Sequence, residues 1–229
     1  MKLIQTSEDL SKDGIYLPLG YAIFTNVEVN KNYPNELDEY ISSVKESLLE
    51  NFTLKNIRNN DIISAYRKFY WHYLNIDPTK TRPSNEALIR RVLAEKHIPR
   101  ISNIVNAYNW VSIDSFLPLG AYDFDVLDFP LHLRYAQKGE KFTPIGGKSQ
   151  KFEGKEIILV DHSGKVLFQY PYRDADFSKI TLSTSKVLLI ACGVNGISKE
   201  KIKKTLKKTK NIFQKKISSK IKFEKYEIL

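Results

Sequence analysis

The chain has 229 residues, 42% of them hydrophobic and 12% aromatic, which suits a folded protein with one substantial core and excludes a disordered chain. No apolar run nears the roughly 20 residues of a membrane span, and the opening MKLIQTSEDLSKDG lacks a signal-peptide layout. The net charge of +10 is concentrated: Ser198 to Leu229 holds twelve lysines against Glu200, Glu224 and Glu227, while the preceding part holds 24 basic and 23 acidic residues.

Residues 15–30, IYLPLGYAIFTNVEVN, are dense in β-branched and aromatic side chains and predict a strand. The turn-like NKNYPN leads into a helix over 36–51 with Leu37, Tyr40, Ile41, Val44 and Leu48 on one face. A second helix over 60–74 carries Ile62, Ile63, Tyr66, Phe69, Tyr70 and Tyr73 and stops at DPTKTRP. Ser84 is expected to cap a third, SNEALIRRVLAEKH, with Glu86 near the positive end of the dipole. Its Leu88, Ile89, Val92 and Leu93 face inward, and Arg90 and Arg91 point elsewhere. Pro99 restarts a fourth helix, in which Asn103, Asn106 and Asn109 recur every third position. Asparagine is a mediocre helix former because its amide competes for backbone hydrogen bonds, so this row calls for an explanation.

After Pro118 the segments LGAYDFD, LHLRYAQ, KFTPI, EIILVD, VLFQYPY and KVLLIAC read as short strands between turns. Ser163-Gly164 signals a hairpin, and PIGGKSQ a second hairpin turn. A basic helix is expected over 198–222, with Ile202, Leu206, Phe213 and Ile217 in a stripe and Lys201, Lys204, Lys208 and Lys215 outside it. This order predicts a single α+β domain over 1–229, a mixed or antiparallel sheet packed with helices. Its parts are a strand and helices over 15–98, a core over 100–190, and the basic helix last.

Most familiar chemistry is absent. PIGGKSQ lacks the spacing of a phosphate loop, and Ser163 has no nucleophile-elbow glycines. His72, His97, His132 and His162 are dispersed, so no metal and no cofactor is implied. The one cysteine, Cys192, has no disulfide partner within the chain and sits in VLLIACGV as a small apolar side chain; the protein reads as cytoplasmic. Clustered lysines suit a polyanion through counterion release, and equally a solvated helix that keeps the chain soluble.

Three blocks stand in order across residues 100–190: RISNIVNAYNWVSIDSFLPLGAYDFD, KGEKFTPIGGKSQKFEGKEIILVDHSGKVLF and TSKVLLIAC. In them Asn109 precedes Pro118 by nine positions, Ala121-Tyr122-Asp123 follow, and Gly139-Glu140 leads to Asp161-His162. Together these resemble the tRNA-binding and editing domain of the phenylalanyl-tRNA synthetase beta subunit, the B3/B4 domain. TRPSNEALIRRVL, YRDADFSKIT and the closing helix are similar to stand-alone members of that superfamily. The resemblance implies a B3/B4-like fold, tRNA or aminoacyl-tRNA as partner, and no capacity to charge tRNA itself. It also implies a pocket for the amino acid on the tRNA 3′ end, where the fourth helix meets Pro118. Asn109 would hold a polar group there and Pro118 would shape the wall. Asn103 and Asn106 receive no role and are expected at the surface or in helix packing.

The departures are specific. Gly120 stands at the family's pocket histidine, and Ile190 at the glutamate that recognises a hydroxyl on the wrong amino acid. Tyr170-Pro171-Tyr172-Arg173-Asp174 replaces a glycine-rich turn, and the later Thr-Glu-Ala-Ser-like segment has no counterpart. Around such a remade pocket the candidates are Gly120, Asp123, Arg134, Arg173, Asp174, Thr181 and Thr184. Arg173 suits a phosphate or carboxylate, and Asp174 a water or an amine; the plainer alternative is a surface turn with an Arg173–Asp174 ion pair. The leading expectation is a stand-alone tRNA-binding protein whose lysine-rich helix touches phosphates. Two alternatives stand beside it: a trans-acting deacylase of mischarged aminoacyl-tRNA, and an amino-acid or small-anion pocket without RNA.

Overall fold

Polar caps start most of the helices in the computed structural model, which describes residues 2–32 and 34–229. Strand β1 (Ile4–Thr6), helix α1 (Glu8–Lys12) and strand β2 (Leu19–Thr25) come first, followed by α2 (Asn35–Asn51). Helix α3 (Asp61–His72) begins where the Asn60 carboxamide accepts from the Ile62 and Ile63 amides at 3.1 and 3.2 Å. Helices α4 (Ser84–Leu93) and α5 (Asn103–Ser115) precede strands β3 (Leu119–Asp123), β4 (Leu131–Tyr135), β5 (Lys141–Phe142) and β6 (Gln150–Lys151). Strands β7 (Ile157–Val160), β8 (Val166–Gln169), β9 (Arg173–Asp174) and β10 (Val187–Cys192) lead to α6 (Lys199–Ile212) and β11 (Lys222–Ile228).

The expected α+β architecture is what forms. An antiparallel sheet runs β11-β2-β10-β3, and a mixed sheet runs β1-β4-β7-β8-β9 with β1 and β4 parallel. The Ser163-Gly164 hairpin joins β7 to β8, with Gly164 at φ 88° and the Asp161 carboxylate accepting from the Lys165 amide at 2.8 Å. PIGGKSQ connects the paired strands β5 and β6.

Side chains alternate across a pleated strand, and the register sorts the antiparallel sheet into two faces. Gly120, Ile190 and Tyr21 are partners on one face; Leu119, Ala191 and Gly20 are partners on the other. Helix α6 covers the second face so closely that a Cβ on Gly20 would strike Ile202 and Leu206. The first face meets the mixed sheet, where the Tyr122 and Phe168 rings stack at 5.7 Å. The helices share a further apolar cluster built from Val44, Leu48, Ile63, Ile89, Trp110 and Ile113.

Several boundaries differ from those expected. The strand expected over 15–30 is the shorter β2, which ends where Asn26 takes a left-handed backbone at φ 54°. Pro83 rather than Ser84 occupies the N-cap of α4, and the Ser84 hydroxyl turns to the Pro171 carbonyl at 3.5 Å. Pro99 lies in irregular chain, and Ser102 caps α5 instead. The basic helix stops at Ile212, passes through a wide turn over Phe213–Ile217, and gives way to β11. That strand forms because β2 has an open edge and Phe24 offers Phe223 an aromatic neighbour at 5.7 Å. Tyr33, within the turn-like NKNYPN, lies outside the described residues.

Candidate functional site

Helix α5 is buried on nearly all sides, which explains two members of its asparagine row. Asn103 is 2% exposed; its carboxamide accepts from the Asn30 and Ile104 amides at 3.1 and 2.8 Å and donates to the Glu28 carbonyl at 2.8 Å. Asn106, equally buried, accepts from the Ile101 amide at 3.0 Å. Both amides therefore splice irregular chain onto the helix start. They are helix-packing amides rather than surface ones.

The other end of α5 is stitched as firmly. Phe116 reverses the chain at φ 63°, and the Ser112 hydroxyl donates to the Leu117 carbonyl at 2.5 Å. The Asn85 side chain donates to the Phe116 carbonyl at 2.6 Å, which ties α4 to the same turn. Beside this turn a cavity of about 370 Å³ opens. Tyr108, Asn109 and Ser112 line it from α5, Pro118, Leu119, Gly120 and Tyr122 from the chain that follows, and Phe168, Arg173 and Asp174 from the mixed sheet. Asn109 is half-buried, and among the described residues its amide has no hydrogen bond.

At one side of the cavity the Tyr122 hydroxyl donates to Asp174 Oδ1 at 2.5 Å. Burial pushes the Asp174 carboxyl up to about 6, and the Tyr122 hydrogen bond only partly offsets this. Burial likewise holds the Tyr122 hydroxyl and the Cys192 thiol far above their ordinary ranges, and the Asp174 charge adds to both. Gly120 is what makes room for the phenol. A Cβ there would collide with the Tyr122 hydroxyl and stand 2.9 Å from Cζ. Ile190, the other departure from the family pattern, is fully buried opposite Gly120 in the register and does not line the cavity. The phenol of Tyr122 and the carboxylate of Asp174 are thus the polar equipment at this position.

Arginines surround the opening. Arg82, Arg91 and Arg173 line it and are exposed, and a shallow depression of about 400 Å³ continues past Lys80, Arg82, Arg91, Lys96 and Tyr172. Among the described residues none of these cations forms an ion pair. Arg173 does not pair with Asp174; its guanidinium lies 5.3 Å from the centre of the Tyr172 ring. The neighbouring Arg90 is taken up by the fully buried Glu86, which also binds Arg67.

Of the residues singled out from sequence, Asn109, Pro118, Gly120, Arg173 and Asp174 meet at the cavity. Asp123 and Thr184 do not line it: the Thr184 hydroxyl donates to the Asp123 carboxylate at 2.6 Å, while Thr181 caps the same turn through its amide. Arg134 makes two bonds to Glu140 at 2.8 and 3.0 Å. It shares its sheet face with Ile158, the face opposite Phe168, and so points away from the cavity. Lys201, Lys204, Lys208 and Lys215 belong to the segment packed on the far face of the antiparallel sheet. Lys208 is paired with Asp114 at 2.7 Å, and burial with nearby Lys208 draws the Lys201 ammonium down; Lys204 and Lys215 are exposed.

Sequence reasoning missed Arg82, Ser84 and Arg91. A signal was present: Ser84, Ala87, Leu88 and Arg91 recur at helical spacing and form the face α4 turns to the cavity. Among the described residues no helix is long and apolar enough to cross a membrane, and no group of three His, Cys, Asp or Glu gathers as a metal ion would need.

Comparison with known proteins places these residues in context. Residues 65–224 match the B3/4 domain. The phenylalanine–tRNA ligase beta subunit of Bifidobacterium longum is 29% identical over 108 residues, covering 45% of this chain and 12% of that protein. That of Anaeromyxobacter dehalogenans is 32% identical over 115 residues, covering 50% of this chain and 14% of that protein. The chain therefore spans only a small part of the length of these curated relatives. A solved N-terminal fragment of the Pyrococcus horikoshii phenylalanyl-tRNA synthetase beta subunit has a TM-score of 0.49 and 16% identity, over 93% of this chain and 48% of the fragment.

Proposed function

The chain belongs to the B3/4 domain family, and on that premise we propose that it is a tRNA-binding protein whose cavity takes the acylated 3′ end. One observation carries the reading. A cavity lined by Asn109, Pro118, Gly120 and Asp174 opens between arginines that form no ion pair among the described residues. Phosphates of the terminal nucleotides run along Lys80, Arg82, Arg91 and Lys96, where guanidinium forks suit phosphate oxygens. The aminoacyl group enters beside Pro118, and the Asn109 carboxamide, without a hydrogen bond among the described residues, offers both a donor and an acceptor. The lysines of α6 lie on the far side of the antiparallel sheet and serve a more distant part of the RNA.

The reading is one of binding. Burial raises the Cys192 thiol and the Tyr108 and Tyr122 phenols further above their already high ordinary ranges, which moves these groups away from the lowered pKa of an activated nucleophile. The test is tRNA affinity against salt concentration. Affinity is expected to fall steeply with ionic strength, and reversing Arg82 and Arg91 to glutamate should lower it by at least about tenfold and flatten the salt slope by about two. Reversing Lys204 and Lys215 should cost less. An affinity indifferent to salt, or equal in the arginine variant, removes the proposal. Amino-acid release from a panel of mischarged tRNAs, measured alongside, would convert the binding role into a hydrolytic one.

A further inference from the structure

Resting on that reading of the cavity, the geometry points to Asp174 as the anchor for the free α-ammonium group of the aminoacyl moiety, with Tyr122 holding the carboxylate in position. Asp174 is the sole carboxylate among the described lining residues, and it has no cationic partner among them. Its Oδ1 accepts a hydrogen bond from the Tyr122 hydroxyl. No hydrogen bond to Oδ2 is present among the described residues, and this oxygen is not sealed among the buried unpartnered atoms. A half-buried carboxylate in this state is destabilising until a donor or cation completes it. A primary ammonium brings three donors and a charge to one point, in a cavity that Tyr108 also lines.

Tyr122 is itself held on both sides. Its ring stacks on Phe168 with planes 18° apart, and Gly120 leaves the space its hydroxyl fills. The carboxylate is therefore set before any ligand arrives. The polarity of the cavity is also ordered, with a carboxylate in its wall and guanidinium groups at its rim. An acylated nucleotide terminus has the complementary order, ammonium at one end and phosphodiester at the other. An N-acylated amino acid lacks the cation and adds bulk where Oδ2 stands.

The experiment compares bulk tRNA charged with an amino-acid mixture, the same tRNA after N-acetylation, and uncharged tRNA, each binding to the wild-type protein and to Asp174→Asn and Tyr122→Phe. N-acetylation is expected to weaken wild-type binding by about tenfold or more, the scale of one charge-assisted hydrogen bond. Asp174→Asn should bind the charged and acetylated forms alike, the ratio of the two affinities falling to about one. Tyr122→Phe should keep the preference for the free amine with a few-fold loss. An RNA-free arm uses phenylalaninamide and leucinamide against their N-acetyl forms, with NMR shifts of the Tyr122 and Phe168 rings as readout. Amine-independent binding in both arms, or an undiminished amine preference in Asp174→Asn, overturns the proposal. Salt-dependent binding of uncharged tRNA with no amine preference would leave the tRNA reading standing and this one refuted. Amine-dependent binding of the amides with no tRNA binding would do the reverse.

Discussion

Gly120→Ala tests the packing on which the site depends. The added methyl would collide with the Tyr122 hydroxyl and meet Cζ and Cε2 at 2.9 and 3.2 Å. The ring has little room to yield, because Phe168 stacks against it and Asp174 holds its hydroxyl. Overpacking of this kind costs about 1–3 kcal/mol. Expelling the hydroxyl from Asp174 adds roughly 1.5–3 kcal/mol for a hydrogen bond to a charged group. A loss of about 3 kcal/mol is therefore expected in urea unfolding. The sharper measurement is a double-mutant cycle with Tyr122→Phe. Removing the hydroxyl takes away the nearest obstruction, so Gly120→Ala should cost about 1–2 kcal/mol less in that background. Equal cost in both backgrounds, or a single-variant loss below about 0.5 kcal/mol, would show that Tyr122 does not occupy the place left by Gly120.

Asp174 makes a prediction of the opposite sign. Its folded carboxyl sits near 6 against an ordinary 3.8, so the proton it holds contributes stability that is full below about pH 4 and lost as the pH rises through 6. Asparagine does not titrate, and Asp174→Asn should be more stable than wild type at pH 8 by up to about 3 kcal/mol, the two converging by pH 4. Chemical unfolding across that range reads the difference; a variant less stable at pH 8 would contradict it. Glu86→Gln leaves Arg67 and Arg90 without their shared carboxylate, bound now at 3.1 and 2.7 Å in a site with no exposure at Glu86. A loss of about 3–5 kcal/mol is expected in the same assay, and a loss under about 1 kcal/mol would show that the network does not hold α4.

How much was legible in the chain varies with distance along it. The faces of α2 and α3, the Ser163-Gly164 hairpin and the start of the basic helix near Ser198 follow from neighbours within a few positions, and each is found where its pattern puts it. The wall at Asn109 and Pro118 was legible only as a resemblance to a family. The asparagine row misleads because the same residue type does two jobs: Asn103 and Asn106 bind backbone, while Asn109 faces open space. The C-terminal strand was hidden because nothing in KFEKYEI announces that β2, some two hundred residues earlier, leaves an edge for it.

Amino-acid order alone determined the helical periods, the turns, the α+β class and the accumulation of lysine near the C-terminus, since these rest on backbone preference and short-range spacing. Only tertiary packing decided that Tyr122 donates to a carboxylate 52 positions away, that Gly120 yields its space to that phenol, and that Arg82 and Arg91 line the same cavity as Pro118. It also set the lysine-rich helix behind the sheet, away from the cavity. The reason is physical: a single segment carries its own propensity, whereas a site is made by several segments whose burial against one another sets which polar atoms are left facing the same space.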